Sequence, residues 1–168
     1  ANDYNIWKGI YRKSFLDENN IRFNESKGAA FQDIGFSEQV HACAKRGYYT
    51  DCSFYRYRCD RDEASVKSNK GLMYSFTEFK RLMETPELWK KITYKPGFYW
   101  HMAQSFHGEF CKVIELENYN LDSDCIKPYL NWFIEHIKKA MDQGMFPSEK
   151  INVTLYKDFV DLVTDYKA

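Results

Sequence analysis

One stretch constrains this chain more than any other. Ile126, Leu130, Phe133, Ile137 and Met141 stand four, three, four and four residues apart. That spacing puts five large apolar side chains on one face of a helix, which must then find a core to cover it. Ser123 or Asp124 is placed to cap the helix, Pro128 falls in its first turn, and Gly144 is placed to end it. His136 lies near the buried stripe, where a histidine with a satisfied hydrogen bond is the ordinary occupant.

The rest of the chain is patterned less sharply. Tyr4, Trp7, Ile10, Tyr11 and Phe15 follow helical spacing, with Asp3 as cap and Asn19-Asn20 as stop. Ala29 to Ile34 reads as a helical turn halted by Gly35. Ser37 then caps a helix over Glu38 to Arg46 that Gly47 closes. From Tyr48 to Cys59 the residues alternate, with Cys52, Phe54, Arg56 and Arg58 on one side and Ser53, Tyr55, Tyr57 and Cys59 on the other, a strand signal. Asp60 to Lys70 is a polar loop, and Gly71 to Tyr74 is a second strand candidate. Ser75-Phe76-Thr77-Glu78 has the form of a capping box, so a helix is expected from Phe76 with Phe79, Leu82 and Met83 buried. Pro86 to Ile92 is a short helix with proline at its start. Phe98 to Phe106 is apolar without a clean period, Glu109 to Leu116 reads as a strand, and Asn118 to Asp122 as a loop. Ile151 to Leu155 alternates as a strand, and Phe159 to Tyr166 has helical spacing.

About four strands among five or six helices, in irregular order, imply a single α+β domain over residues 1–168. Its sheet would be small and mainly antiparallel. A chain of 168 residues is long enough to bury a core without staples. No run of apolar residues reaches the length of a membrane span.

Charge and composition narrow the function. Lys+Arg and Asp+Glu both number 24, so the formal net charge is zero. That disfavours a bulk nucleic-acid footprint and an anionic-lipid surface. The run Phe54-Tyr55-Arg56-Tyr57-Arg58 has the composition of a single-strand platform, but Asp51, Asp60, Asp62 and Glu63 cancel its field. Aromatic residues make up 18% of the chain, with 13 Tyr, 13 Phe and 4 Trp. Rings carry large apolar area at small entropic cost, which suits both a core and a recognition surface. Tyr55, Tyr57, Trp100, His101 and His107 are the candidate binding residues.

Cysteines stand at positions 43, 52, 59, 111 and 125, and an odd count excludes complete internal pairing. Free thiols, disulfides in an exported protein and a metal site are the three readings. If disulfides form, Cys43 with Cys52 or Cys59 is the expected pair. A continuous strand would hold Cys52 and Cys59 about 23 Å apart, beyond the roughly 7 Å a bridge allows. No C-x-x-C, G-x-S-x-G, H-E-x-x-H, Walker loop or G-x-G-x-x-G occurs. Asn24-Glu25-Ser26 and Asn152-Val153-Thr154 match the glycosylation acceptor pattern.

The expectation from these features is a non-enzymatic recognition module, of inhibitor, immunity-type or ligand-sensing kind, with a protein or small-ligand partner and no cofactor. The alternative is a small cysteine- or metal-dependent enzyme built on His41, Cys43, Cys52 and Cys59, or on His101, His107 and Cys111. The start, Ala1 to Tyr4, shows neither a basic nor an apolar leader region. The compartment stays open, with an extracytoplasmic one, after removal of a leader, favoured over the cytoplasm.

Overall fold

The computed structural model describes residues 5–26, 31–58, 60, 68–146, 161, 163 and 165. Among them there is no β-strand. A 3-10 turn, Ile6–Lys8, precedes six α-helices: α1 (Lys13–Glu18), α2 (Gln32–Cys43), α3 (Gly71–Glu84), α4 (Pro86–Lys91), α5 (Lys95–Leu116) and α6 (Lys127–Asp142). The expected α+β fold with a four-stranded antiparallel sheet is therefore replaced by an all-helical one across the described residues. The candidate strand over 151–155 and most of the helix over 159–166 lie outside them.

Each misassigned strand has a physical cause. Phe98, Met102, Phe106, Glu109 and Val113 fall four, four, three and four apart and are all buried on α5. A glutamate occupies one position of that stripe, which breaks the apolar pattern where a strand was read at Glu109 to Leu116. Leu72, Ser75, Phe79 and Leu82 form a second buried stripe on α3, broken in the same way by a serine. Helix α3 begins at Gly71, four residues before the expected capping serine, Ser75. Ser75 sits inside the helix with its hydroxyl buried and unbonded. Glu78 also turns inward instead of reaching back to a cap. The stretch Tyr48 to Arg58 is irregular and exposed at every position, and no strand among the described residues takes its backbone groups.

The first helical segment is also shorter than its spacing implies. Gly9 breaks it, and Ile10 is 91% exposed. Gly35 does not stop a helix either. It lies inside α2, which runs through Ser37 as one element. By contrast, α4 begins on Pro86, and α6 begins one residue past Ile126. Gly144, with a φ of 64°, takes the left-handed conformation that ends a helix.

The chain divides into two compact units. The first comprises residues 1–67 and 77–93, the second 68–76 and 94–168, so α3 supplies residues to both. In the first unit Ile21, Ile34, Phe36, Phe79, Leu82 and Ile92 are buried. Phe36 stacks on Phe23 with centroids 4.4 Å apart and meets the edge of Tyr11 at 5.3 Å. Lys91 donates to the carbonyl oxygens of Asn19 and Asn20 at 2.7 and 3.2 Å, tying α4 to the end of α1. In the second unit α5 packs on α6, with Phe106 against Phe133 at 4.3 Å. Leu72, Met102, Val113, Ile126, Leu130 and Ile137 are fully buried around them.

Candidate functional site

Polar and aromatic side chains gather in three places. The first is the buried heart of the first unit. Glu78 is 2% exposed and accepts from Asn24 Nδ2 at 2.7 Å and from the Arg81 guanidinium at 2.9 Å. A Cβ at position 35 would overlap both the Glu78 carboxylate and the Arg81 guanidinium, so only glycine lets the pair lie against α2. Gln39 accepts from Arg22 N–H and donates to the carbonyl oxygens of Arg22 and Gly35. A buried polar group needs such hydrogen-bond partners, and the Glu78 carboxylate has them. The Asn24 amide, part of one glycosylation match, is committed to Glu78 and faces inward.

The second place is α5 and the loop after it. His101 is buried, while Trp100 and His107 are half-buried. Trp100 meets Phe146 edge-on at 6.4 Å. His107 Nε2 lies 3.8 Å from Cys111 Sγ. Burial and the nearby Glu115 push the Cys111 thiol up from its ordinary pKa. Burial and Glu117 do the same at Cys125. Both shifts disfavour the thiolate a nucleophile or metal ligand needs. Glu117 accepts from Ser123 Oγ at 2.5 Å and Asn69 Nδ2 at 2.9 Å, which hold its carboxyl below the usual range. Burial lowers the Lys95 ammonium to about 8. On α6, His136 Nδ1 lies 2.8 Å from the Trp132 carbonyl. A carbonyl only accepts, so Nδ1 carries the proton. The imidazole stacks on the Trp132 ring at 4.1 Å.

The third place is a surface of the first unit. Tyr57 stacks on Trp7 with centroids 5.3 Å apart and planes 26° from parallel. Tyr55 lies 6.5 Å from the same indole. Tyr55 and Tyr57 are 52% and 54% exposed, and Arg56 between them is exposed too. The structure thus joins Tyr55 and Tyr57 at one spot and places Trp100, His101 and His107 in the other unit. Trp7 is the residue that sequence reasoning missed here. Its spacing pointed to a buried helix face, and no local signal links it to rings nearly fifty positions later.

Of the three cysteine readings, that of free thiols agrees with the described residues, and the disulfide and metal readings do not. Cys43, Cys52, Cys111 and Cys125 are free thiols, so Cys43 is paired with neither Cys52 nor Cys59. Cys59 itself lies outside the described residues. No group of three or more His, Cys, Asp or Glu side chains is placed to hold a metal among the described residues. Neither His41, Cys43 and Cys52 nor His101, His107 and Cys111 form such a group. No helix among the described residues is long and apolar enough to cross a membrane.

No family model matches the chain, and no solved structure matches it. The chain is 30% identical over 107 residues to the uncharacterized glycosyltransferase YibD of Escherichia coli (strain K12). The alignment covers 54% of this chain and 30% of that protein, so the chain spans less than a third of its relative's length. This likeness is to a protein named for an enzyme class, and it overturns the expectation of a non-enzymatic recognition module. It gives no support to a cysteine- or metal-dependent enzyme either.

Proposed function

We propose that this chain works in glycosyl transfer, as a helical part of a glycosyltransferase. The observation that carries the reading is the 30% identity to the Escherichia coli protein over 107 residues. In such a reaction an acceptor oxygen bonds to the anomeric carbon of an activated sugar. The bond to the leaving group breaks with its electron pair, and the acceptor proton passes to a base. The exposed rings of Tyr55 and Tyr57 beside Trp7 fit the handling of a sugar better than that of the transferred group's activating phosphates. Phosphates are ordinarily cradled by glycine-rich loops and helix N-termini that follow strands, and the described residues contain no strand. Acceptor handling is accordingly the role we assign to this part of the molecule. Nucleic acid is not among its partners in this reading.

The test is turnover of sugar nucleotides. The full-length glycosyltransferase that carries this helical part is incubated with UDP- and GDP-linked hexoses and a mixture of acceptor glycans, and nucleoside diphosphate release is followed. Release that requires both donor and acceptor is the expected result. Absence of release with every donor would overturn the reading.

A further inference from the structure

We infer that Trp7, Tyr55, Arg56 and Tyr57 form a docking surface for an anionic saccharide, the acceptor of the transfer reaction. The inference rests on the glycosyl-transfer reading and adds to it a place and a charge. Two features of the surface carry it.

The first is the stacked rings. Tyr57 is held against Trp7 at 5.3 Å, yet remains 54% exposed, so a large part of the ring still meets solvent. A packed core would have covered it, and an unplaced side chain would not be stacked. A pyranose has an apolar C–H face and a rim of hydroxyls. The face covers an aromatic ring, and the rim finds hydroxyl and guanidinium partners in Tyr55, Tyr57 and Arg56. Tyrosine suits such a site because its body is apolar and its tip is wet.

The second is local charge. Over residues 44–58 the chain carries Lys45, Arg46, Arg56 and Arg58 against Asp51, and all five are exposed. Asp60 pairs with Arg58 at 2.7 Å and the two cancel, which leaves Lys45, Arg46 and Arg56 against Asp51; Asp62 and Glu63, which offset the segment in the sequence, lie outside the described residues. Arg56 is exposed and lies between the two tyrosines in the sequence, and a guanidinium takes a carboxylate or phosphate in a planar, two-pronged contact. The whole chain is neutral, so this excess is a local feature and not a general polyanion footprint.

The experiment is calorimetric titration of the full chain with oligogalacturonate and hyaluronan hexasaccharides. Maltohexaose is the neutral control, and single-stranded DNA is the polyanion control. No sugar donor is present, so the outcome is independent of turnover. We expect at least one acidic glycan to bind and the neutral one to bind more weakly. Tyr57→Leu should weaken acidic-glycan binding by about tenfold or more, equivalent to about 1.4 kcal/mol, without moving the melting temperature. Arg56→Gln should narrow the gap between acidic and neutral glycans. Trp7→Leu provides a third variant, and a melt checks that it folds. No binding of either acidic glycan, or binding indifferent to Tyr57→Leu and Arg56→Gln, would overturn the proposal. Single-stranded DNA binding through the same residues as tightly as the glycans would overturn it in favour of a nucleic-acid surface. Turnover without glycan binding would leave the glycosyl-transfer reading standing and this one refuted. Glycan binding without turnover would refute the transfer reading and leave the saccharide surface standing, but not its role as the acceptor site.

Discussion

In α6, Leu130, Phe133, Ile137 and Ala140 are buried to within 1% of their surface, whereas every residue from Tyr48 to Arg58 is exposed. Both stretches are rich in large side chains, and both are periodic. The helix satisfies its own backbone hydrogen bonds, so its stripe needs only an apolar neighbour, which α5 provides. An extended segment needs a partner strand for its N–H and C=O groups before alternation means anything. Where no partner exists, the same rings stay at the surface. Those that hold a fixed position do so through a side chain such as Trp7.

The largest effect should come from breaking the buried side of this contrast. Leu130→Asp places an unpaired carboxylate at a fully buried position. Its cost, roughly several kcal/mol, is comparable to the total stability of a domain. A thermal melt should show loss of the cooperative transition, and a folded, cooperative variant would mean that α6 is not central.

A smaller loss is expected at Gly35, where any side chain meets the Glu78–Arg81 pair. Gly35→Ala should cost about 1–3 kcal/mol by urea unfolding, because the pair must shift and lose partners at a buried site. A double variant with Glu78→Gln should cost less than the two singles summed, since both act on one network. Strict additivity would separate Gly35 from the ion pair.

Lys95 offers a test by pH. Burial lowers its pKa in the folded state from 10.5 to about 8. Between those values the unfolded chain holds a proton that the folded one has lost, so this group makes stability rise with pH. Below pH 8 both states are protonated and the cost of the buried charge is constant. Lys95→Met should remove the rise, read as the difference between variant and parent urea midpoints across that interval. Parallel curves would place Lys95 in water.

The smallest effect belongs to the exposed segment. Tyr48 is 92% exposed, and Tyr48→Ser should shift stability by less than about 0.5 kcal/mol. Amide exchange should divide the molecule in the same way, with α6 slow and residues 48–58 near the free rate. Protected amides in that segment would mean that its backbone finds partners, and the contrast with α6 would fail.

The residues themselves were enough to place α6, α4 and the Gly144 stop. In each case the signal is local: a stripe at helical spacing, a proline whose missing N–H costs nothing at a first turn, a glycine able to take a positive φ. Helices α3 and α5 were only partly legible, because Ser75 and Glu109 occupy stripe positions that a hydrophobic pattern reads as breaks. Whether a polar group can be buried depends on what lies across from it. For Glu109 that is Gly71 of α3, where a Cβ would overlap the carboxylate. The candidate site was legible in Tyr55 and Tyr57, as rings in excess of ordinary core needs, but Trp7 was not. Its contact with them spans nearly fifty residues and has no periodicity to announce it. Local spacing determined which segments can be helices. The tertiary structure alone decided which aromatic rings are core and which face water, because burial belongs to pairs of surfaces brought together and not to either stretch of chain.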